Sequence, residues 1–386
     1  MDDQKNYFER AIETLDKFVD LSAKEKDKDT CEALAEKARI IYEQYPKSED
    51  IGGFYAKILS NVSLKQTKAD ELKKTAEKLE RLHENFSDSQ LIAEAFANIL
   101  FNLSIEQTEA NQLERISERL QKLLEKFSDS QLIAETFAMF LFNVSTKQTE
   151  LKELERTAEK LEKLHEKFSD SLPIAEAFAM FLFNVSLKQT ELKELETTVE
   201  KLQILQQQFQ KSEIIAFIYS MSLAGLPVHQ AELGERLQTT EIIKNLYEQF
   251  SKFMLQHFDD LFFHNDNVCD SEEFKLFNFI LKEGLLKNTK YAILENWVKS
   301  YDENSDELKT LLSIYQLVQK IKYQLGLKDE DKNQMLKFGH YTKGSTFQIM
   351  LDQGEDDKKD FSVSGKTRLY NANYMNDPEE GIVIEQ

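Results

Sequence analysis

Glycine and proline are scarce, with 11 and 4 among 386 residues. Turn-rich sheets and low-complexity chains use many more, so their shortage points to a mostly helical protein. Cysteine is scarcer still. Cys31 and Cys269 stand far apart, which excludes a disulfide framework and a CxxC metal knuckle. No apolar run approaches the roughly 18–20 residues needed to span a bilayer. The first residues, "MDDQKNYFERAIETL", lack the apolar segment of a signal peptide. Positive charge is in deficit too: 49 Lys and Arg face 69 Asp and Glu, a formal net charge of −20. Neutralising phosphates or docking on anionic lipid needs clustered Lys and Arg. Neither nucleic acid nor membrane is therefore expected as a partner, and a cytoplasmic location is expected.

What the chain does contain is a repeat. "SDS" follows Phe86, Phe127 and Phe168, spaced by 41 residues. Tyr45, Phe209 and Phe250 extend the register on either side, with "PKS", "QKS" and "SK" after them. Asn61, Asn102, Asn143 and Asn184 form a second series, each followed by Val or Leu and then Ser. Within a copy, Leu72, Ala76, Leu79, Leu82 and Phe86 step by three or four. That spacing predicts an outer helix over about 64–86 with one buried face and a Glu/Lys face in water. Leu91, Ile92, Ala95, Phe96, Ile99, Leu100 and Leu103 cover more than one face of a second helix, over about 90–103, which must pack on several sides. "SLKQ" at 63–66, with its counterparts at 104–107, 145–148 and 186–189, fits a capping box for the outer helix. "SDS" supplies N-cap oxygens for the inner one, and Pro173 fits its first turn. The apolar run Ala177–Phe183 is one such inner helix. Whether Met180 and Phe181 face the core or a partner is open at this stage.

Helix pairs of this kind bury their apolar faces only by stacking, which gives an α-solenoid. The alternation of outer and inner helices resembles the tetratricopeptide class, whose period is 34 where this one is 41. HEAT-like stacking, whose period brackets 41, is the alternative. After about residue 230 the register fades, but helical spacing persists through 241–263, 271–286, 290–301 and 306–327, with Asp270 and Ser305 as N-caps and Trp297 among these helices. From Gly326 the character changes to a charged linker and then to Gly-, Thr- and Tyr-rich stretches typical of strands and turns. The expected architecture is an all-α solenoid of antiparallel helix pairs followed by the start of a small α+β segment. Its parts are repeats over 1–229, degenerate or capping helices over 230–327, and an incomplete α+β domain over 328–386.

Several motifs dissolve on inspection. The Asn-x-Ser sites share one helix end, where Asn serves as a terminator or as a ladder between copies better than as a glycan acceptor. His83 and His165 occupy equivalent positions, but the copy between them has Leu124, as expected of a packing site. His257, His264, Asp260, Asp266 and Cys269 match no zinc spacing. "SGKT" at 364–367 has Asp360 where a phosphate loop needs its first Gly. The acidic run at Asp302 has Glu307 and Ser313 where a calcium loop needs Gly and Glu.

The C-terminal stretch carries a resemblance. His340, Tyr341 and Thr342, then Arg368, Leu369 and Asn371, then Asn376, Asp377, Pro378 and Glu380 resemble an uncharacterised bacterial domain family with an H-Y-T start and an N-D-P-x-E turn. Its members occur in phage-defence settings, sometimes behind helical repeats. The start is also similar to the first strand motif of ADP-ribosyltransferases. That resemblance implies His340, Tyr341 and Thr342 as NAD-contacting residues, with Arg368, Asn371, Asn376, Asp377 and Glu380 as motif positions. Glu379 and Glu380 cannot be assigned a catalytic part, and the N-D-P-E-E stretch also reads as a turn capped by its own Asn and Asp side chains. No catalytic residue and no metal is assigned. The expected function is a protein-interaction scaffold or sensor, the regulatory part of a bacterial antiviral effector, binding a protein or peptide on a concave face without a cofactor. The alternative is an NAD-using ADP-ribosyltransferase-like toxin controlled by the repeats. Self-assembly through exposed solenoid ends is the third expectation.

Overall fold

The computed structural model describes residues 2–107, 109–148, 150–189, 191–225, 233–264, 272–287, 289, 291–301 and 305–324, and the short segments 339–340 and 384–385. They divide into two compact units, Met1–Ser251 and Lys252–Gln386.

The first unit is a solenoid of alternating helices. It runs through α1 (Asp2–Lys24), α2 (Lys28–Gln44), α3 (Glu49–Ser63) and α4 (Ala69–Asn85). It continues with α5 (Gln90–Glu106), α6 (Ala110–Lys126), α7 (Gln131–Ser145) and α8 (Leu151–Lys167). It ends with α9 (Leu172–Ser186), α10 (Leu192–Gln208), α11 (Glu213–Gly225) and the first part of α12 (Leu233–His264). The odd-numbered helices from α1 to α11 are the inner ones. Each stacks on the inner helix before and after it, and outer helices such as α4 and α8 pack on both flanking inner helices.

Small residues make this stacking close. Ala56, Ala97, Ala138 and Ala179 occupy one repeat position and are fully buried; so are Ala93, Ala134, Ala175 and Ala216. Beside these columns, Ile92, Ile133, Ile174 and Ile215 are also fully buried, which accounts for helices apolar around much of their circumference. Phe181 belongs to this core at 1% exposure, whereas Met180 is half-buried. The outer helices keep the one-sided pattern: α4 buries Leu72, Thr75, Ala76, Leu79 and Leu82.

The repeating phenylalanines end the outer helices. Phe86, Phe127, Phe168 and Phe209 are C-caps with φ between −126° and −111° and ψ of 53–58°. Their N–H groups still donate to the fourth carbonyl back. At Phe250 the same break recurs inside α12, with φ −119° and ψ 25°. Gln249 Nε2 donates to Gln210 O at 3.2 Å, just as Gln208 Nε2 donates to Ser169 O at 2.8 Å one copy earlier. The register thus reaches the end of the first unit.

One local expectation is overturned. Ser63, Ser145 and Ser186 close their inner helices, and Ser104 lies in the last turn of its own. None of them opens the outer helix. The N-caps of α4, α6, α8 and α10 are Lys68, Glu109, Glu150 and Glu191, without side-chain cap bonds. The serine hydroxyls donate backward to the carbonyl three residues earlier, as from Ser63 to Ser60 O at 2.7 Å. The glutamine expected to complete the box instead accepts from the outer helix: Thr75 Oγ1 to Gln66 at 2.9 Å, and Thr198 Oγ1 to Gln189 at 2.9 Å. The pattern has capping-box spacing, but the helix boundary lies on its far side. Pro173, by contrast, sits in the first turn of α9, and Ser305 Oγ caps α15 by accepting from Leu308 N at 3.2 Å.

In the second unit, the rest of α12 is followed by α13 (Glu272–Lys282), α14 (Ala292–Ser300) and α15 (Asp306–Gln324). Its core is an aromatic cluster. The Phe277 ring meets Phe258, Phe262 and Tyr291 edge-on, with centroids 5.1–5.2 Å apart. Tyr315 meets Phe262 edge-on at 5.3 Å. Such edge-to-face pairs add to the burial of the rings themselves. Gly284, with φ of +72°, ends α13 in the left-handed conformation where glycine is preferred. Gly339–His340 (β1) pairs antiparallel with Ile384–Glu385 (β2).

Candidate functional site

Polar groups on the inner helices are organised into rungs between successive copies. Asn61, Asn102, Asn143 and Asn184 each donate Nδ2 to the hydroxyl of Ser22, Ser63, Ser104 and Ser145, at 2.9, 2.8, 3.2 and 3.3 Å. Each serine passes its own proton to the carbonyl three residues back, so the hydroxyl is used both ways. The expected asparagine ladder is therefore an Asn–Ser ladder. It stops at the position after Asn184, which is Gly225.

A second set joins each N-cap serine to the preceding inner helix. Ser130, Ser171 and Ser212 donate to Glu94, Glu135 and Glu176, each at 2.8 Å. The same hydroxyls accept from Ile133, Ile174 and Ile215 N–H at 3.3, 3.4 and 3.1 Å. The α3–α5 junction lacks this rung because Gly53 stands where Glu94 does. A Cβ there would come within 2.5 Å of Leu91 Cδ2, and Ser89 makes no capping bond.

These rungs hold one stripe of each inner helix toward solvent. Positions four, three and four apart share a helix face. They carry Glu94, Asn98, Phe101 and Ile105 on α5; Glu135, Met139, Phe142 and Thr146 on or beside α7; and Glu176, Met180, Phe183 and Leu187 on or beside α9. Asn98, Met139, Met180 and the three phenylalanines are half-buried, and Ile105 and Leu187 are about half exposed. The result is an adaptable Met/Phe strip edged by carboxylates. On α3 the matching positions are Lys57 and Ser60, and on α11 Met221 is buried, so the strip is confined to α5, α7 and α9.

His83 and His165 are packing residues. Their rings lie 5.8 and 6.0 Å from Phe96 and Phe178, and 6.3 Å from Phe127 and Phe209. Both Nδ1 atoms are buried without a hydrogen-bond partner. Burial holds both imidazoles below the usual histidine pKa; Lys126 also lowers His83, and Gln208 partly opposes the effect at His165. Among the described residues no three His, Cys, Asp or Glu side chains are grouped to hold a metal ion. Cys31 is buried, with Sγ 3.7 Å from Ser22 O.

Of the residues marked by the C-terminal resemblance, His340 lies in β1, where its backbone pairs with Ile384. Tyr341, Thr342, Arg368, Asn371, Asn376, Asp377 and Glu380 lie outside the described residues, as do Asp266 and Cys269. No helix among the described residues is long and apolar enough to cross a membrane.

No family model matches the chain, and no curated protein matches it. The resemblances to tetratricopeptide repeats, the H-Y-T family and ADP-ribosyltransferases thus have no family-model match behind them. One solved structure, described as "Computational Design of Self-Assembling Cyclic Protein Homooligomers", is similar over 83% of this chain and 95% of its own, at 10% identity and a TM-score of 0.13. A superposition that weak carries no argument about fold or assembly. The architecture stands on the geometry above: an all-helical repeat protein.

Proposed function

We propose that the protein is an interaction scaffold whose α5–α9 strip docks a protein or peptide. The observation behind this reading is the half-buried Met139, Phe142, Met180 and Phe183, presented on helices that the Ser–Glu and Asn–Ser rungs tie together. Unbranched methionines adapt to irregular partner surfaces, and aromatic anchors supply most of the binding energy at interfaces. Met139→Glu combined with Met180→Glu should leave the helical content unchanged and lower the melting temperature by a few degrees at most. The same pair of substitutions should abolish recovery of a partner that co-purifies with the native protein from its own cells. Equal recovery by both forms would exclude the strip. The C-terminal segment 328–386 is proposed as an accessory module, on the strength of its sequence resemblance. NAD consumption that depends on His340 is the test of its transferase reading.

A further inference from the structure

The gap between outer helices α6 and α8 differs from its neighbours, and the difference is chemical. Between α4 and α6, Arg119 pairs with Glu80 and lies over the Phe96 ring at 5.3 Å. Between α8 and α10, Lys201 pairs with Glu162 at 2.9 Å. The repeat places Lys160 opposite position 121 in the middle gap, and that position is Gln121. Its amide is turned to Glu125 Oε1 at 3.0 Å on its own helix. Lys160 has no carboxylate partner among the described residues and lies over the Phe137 ring at 6.0 Å.

A second departure lies in the same gap. His83 fills the α4–α6 gap against Phe127, and His165 fills the α8–α10 gap against Phe209. The equivalent residue between α6 and α8 is the non-aromatic Leu124. A cleft of 540 Å³ lies there, with Leu124, Phe137 and Leu164 among its apolar walls; Arg156, Lys160, Lys163 and Lys167 line it together with two carboxylates, Glu125 and Glu159. A second cleft of 310 Å³ shares Arg156 and Lys160 with it and is lined by Val144 and by Glu114 and Glu153. Lys167 is engaged with Ser128 O at 2.6 Å, Arg156 and Lys163 are exposed, and Lys160 is half-buried.

From this geometry we infer that the α6–α8 groove binds an acidic peptide segment that inserts an aliphatic or aromatic side chain. Along this groove the cations outnumber the carboxylates Glu125, which accepts from Gln121, and Glu159. That excess above an apolar floor is complementary to such a segment; charge complementarity decides partner and approach rate more than bulk affinity does. The rest of a molecule carrying −20 repels the continuous phosphate backbone of a nucleic acid, whereas a short peptide needs to meet the groove alone. This site is separate from the inner-helix strip, and its test can fail while that reading stands.

The experiment is a titration of the full chain against a fluorescein-labelled Glu-Glu-Leu-Glu-Phe-Glu-Glu peptide, followed by fluorescence anisotropy. Saturable binding that weakens with added salt is expected, with none for the Lys-substituted counterpart. Gln121→Glu restores the pairing seen in both neighbouring gaps. It should weaken binding about tenfold or more, as expected when a charge-assisted contact is lost, while thermal stability holds or rises. Lys160→Glu should do the same, and Met180→Glu should leave this affinity unchanged. Glu80→Gln combined with His83→Leu, which copies both departures, should add a second site, because α6 carries Arg115, Arg119, Lys122 and Lys126 at the matching positions. No saturable binding, equal affinity in Gln121→Glu, or tighter binding of an oligothymidylate would overturn the assignment.

Discussion

The two compact units solve the same packing problem with opposite means. In the solenoid, small alanines bring inner helices together, and stability is distributed over repeated rungs such as Asn143–Ser104 and Ser171–Glu135. In the second unit, Phe258, Phe262, Phe277, Tyr291 and Tyr315 concentrate it in one cluster, and the buried Tyr291 hydroxyl donates to Asp259. Nearest-neighbour stacking tolerates a weakened rung because each copy touches only its neighbours. A single aromatic cluster has no second copy to share the loss. Repetition leaves the solenoid free to vary one gap or one stripe without rebuilding the rest.

The sharpest way to break this contrast is Phe277→Ala. Phe277 is fully buried and should cost about 3–5 kcal/mol, read as lost hydrogen-exchange protection in α13 and α14. A loss no larger than that of a rung would remove the distinction. Ser171→Ala deletes a cap and strands Glu135; about 1–2 kcal/mol is expected, with accelerated exchange at the start of α9. Asn143→Ala removes one of four equivalent bonds and should cost about 1 kcal/mol, felt in α5 and α7. A global collapse of the solenoid would show that the rungs are not shared out as described.

The smallest effect is a pH dependence. His83 and His165 are held below the usual histidine pKa, so folding favours their neutral form. Their contribution is complete above the unfolded value of about 6.5 and is lost progressively as pH falls from there through the lower folded-state values. Acidification from about pH 7.5 to 5.5 should lower the melting temperature by a few degrees at most. The double variant His83→Leu and His165→Leu, which copies the residue found at Leu124, should flatten that slope. An unchanged slope would mean that other groups set it.

Much of the solenoid could be read along the chain. The spacing of Phe86, Phe127 and Phe168 marks the helix ends because an aromatic at the C-cap packs at the junction in every copy. The one-sided pattern of Leu72, Ala76, Leu79 and Leu82 marks an outer helix because water contacts its other face. "SLKQ" misled because a capping box and a helix terminus followed by a turn share the same residue types, and only the direction of the serine's bond tells them apart. The α6–α8 groove left a trace in the sequence: Gln121 between Glu80 and Glu162, and Leu124 between His83 and His165. Each substitution is conservative taken singly, and the two gain meaning when the structure sets them across one gap.

The sequence by itself determined the period, the inner and outer helices and the phenylalanines that close the outer ones, because these follow from local spacing and from which faces must leave water. Tertiary structure decided which polar atoms meet. Asn143 reaches Ser104 at a separation of 39 residues, and Ser171 reaches Glu135 at 36, neither of them the repeat period. Those offsets are set by the rise and twist between stacked helices. They depend on how closely Ala97, Ala138 and Ala179 let the backbones approach, a distance that no local pattern specifies.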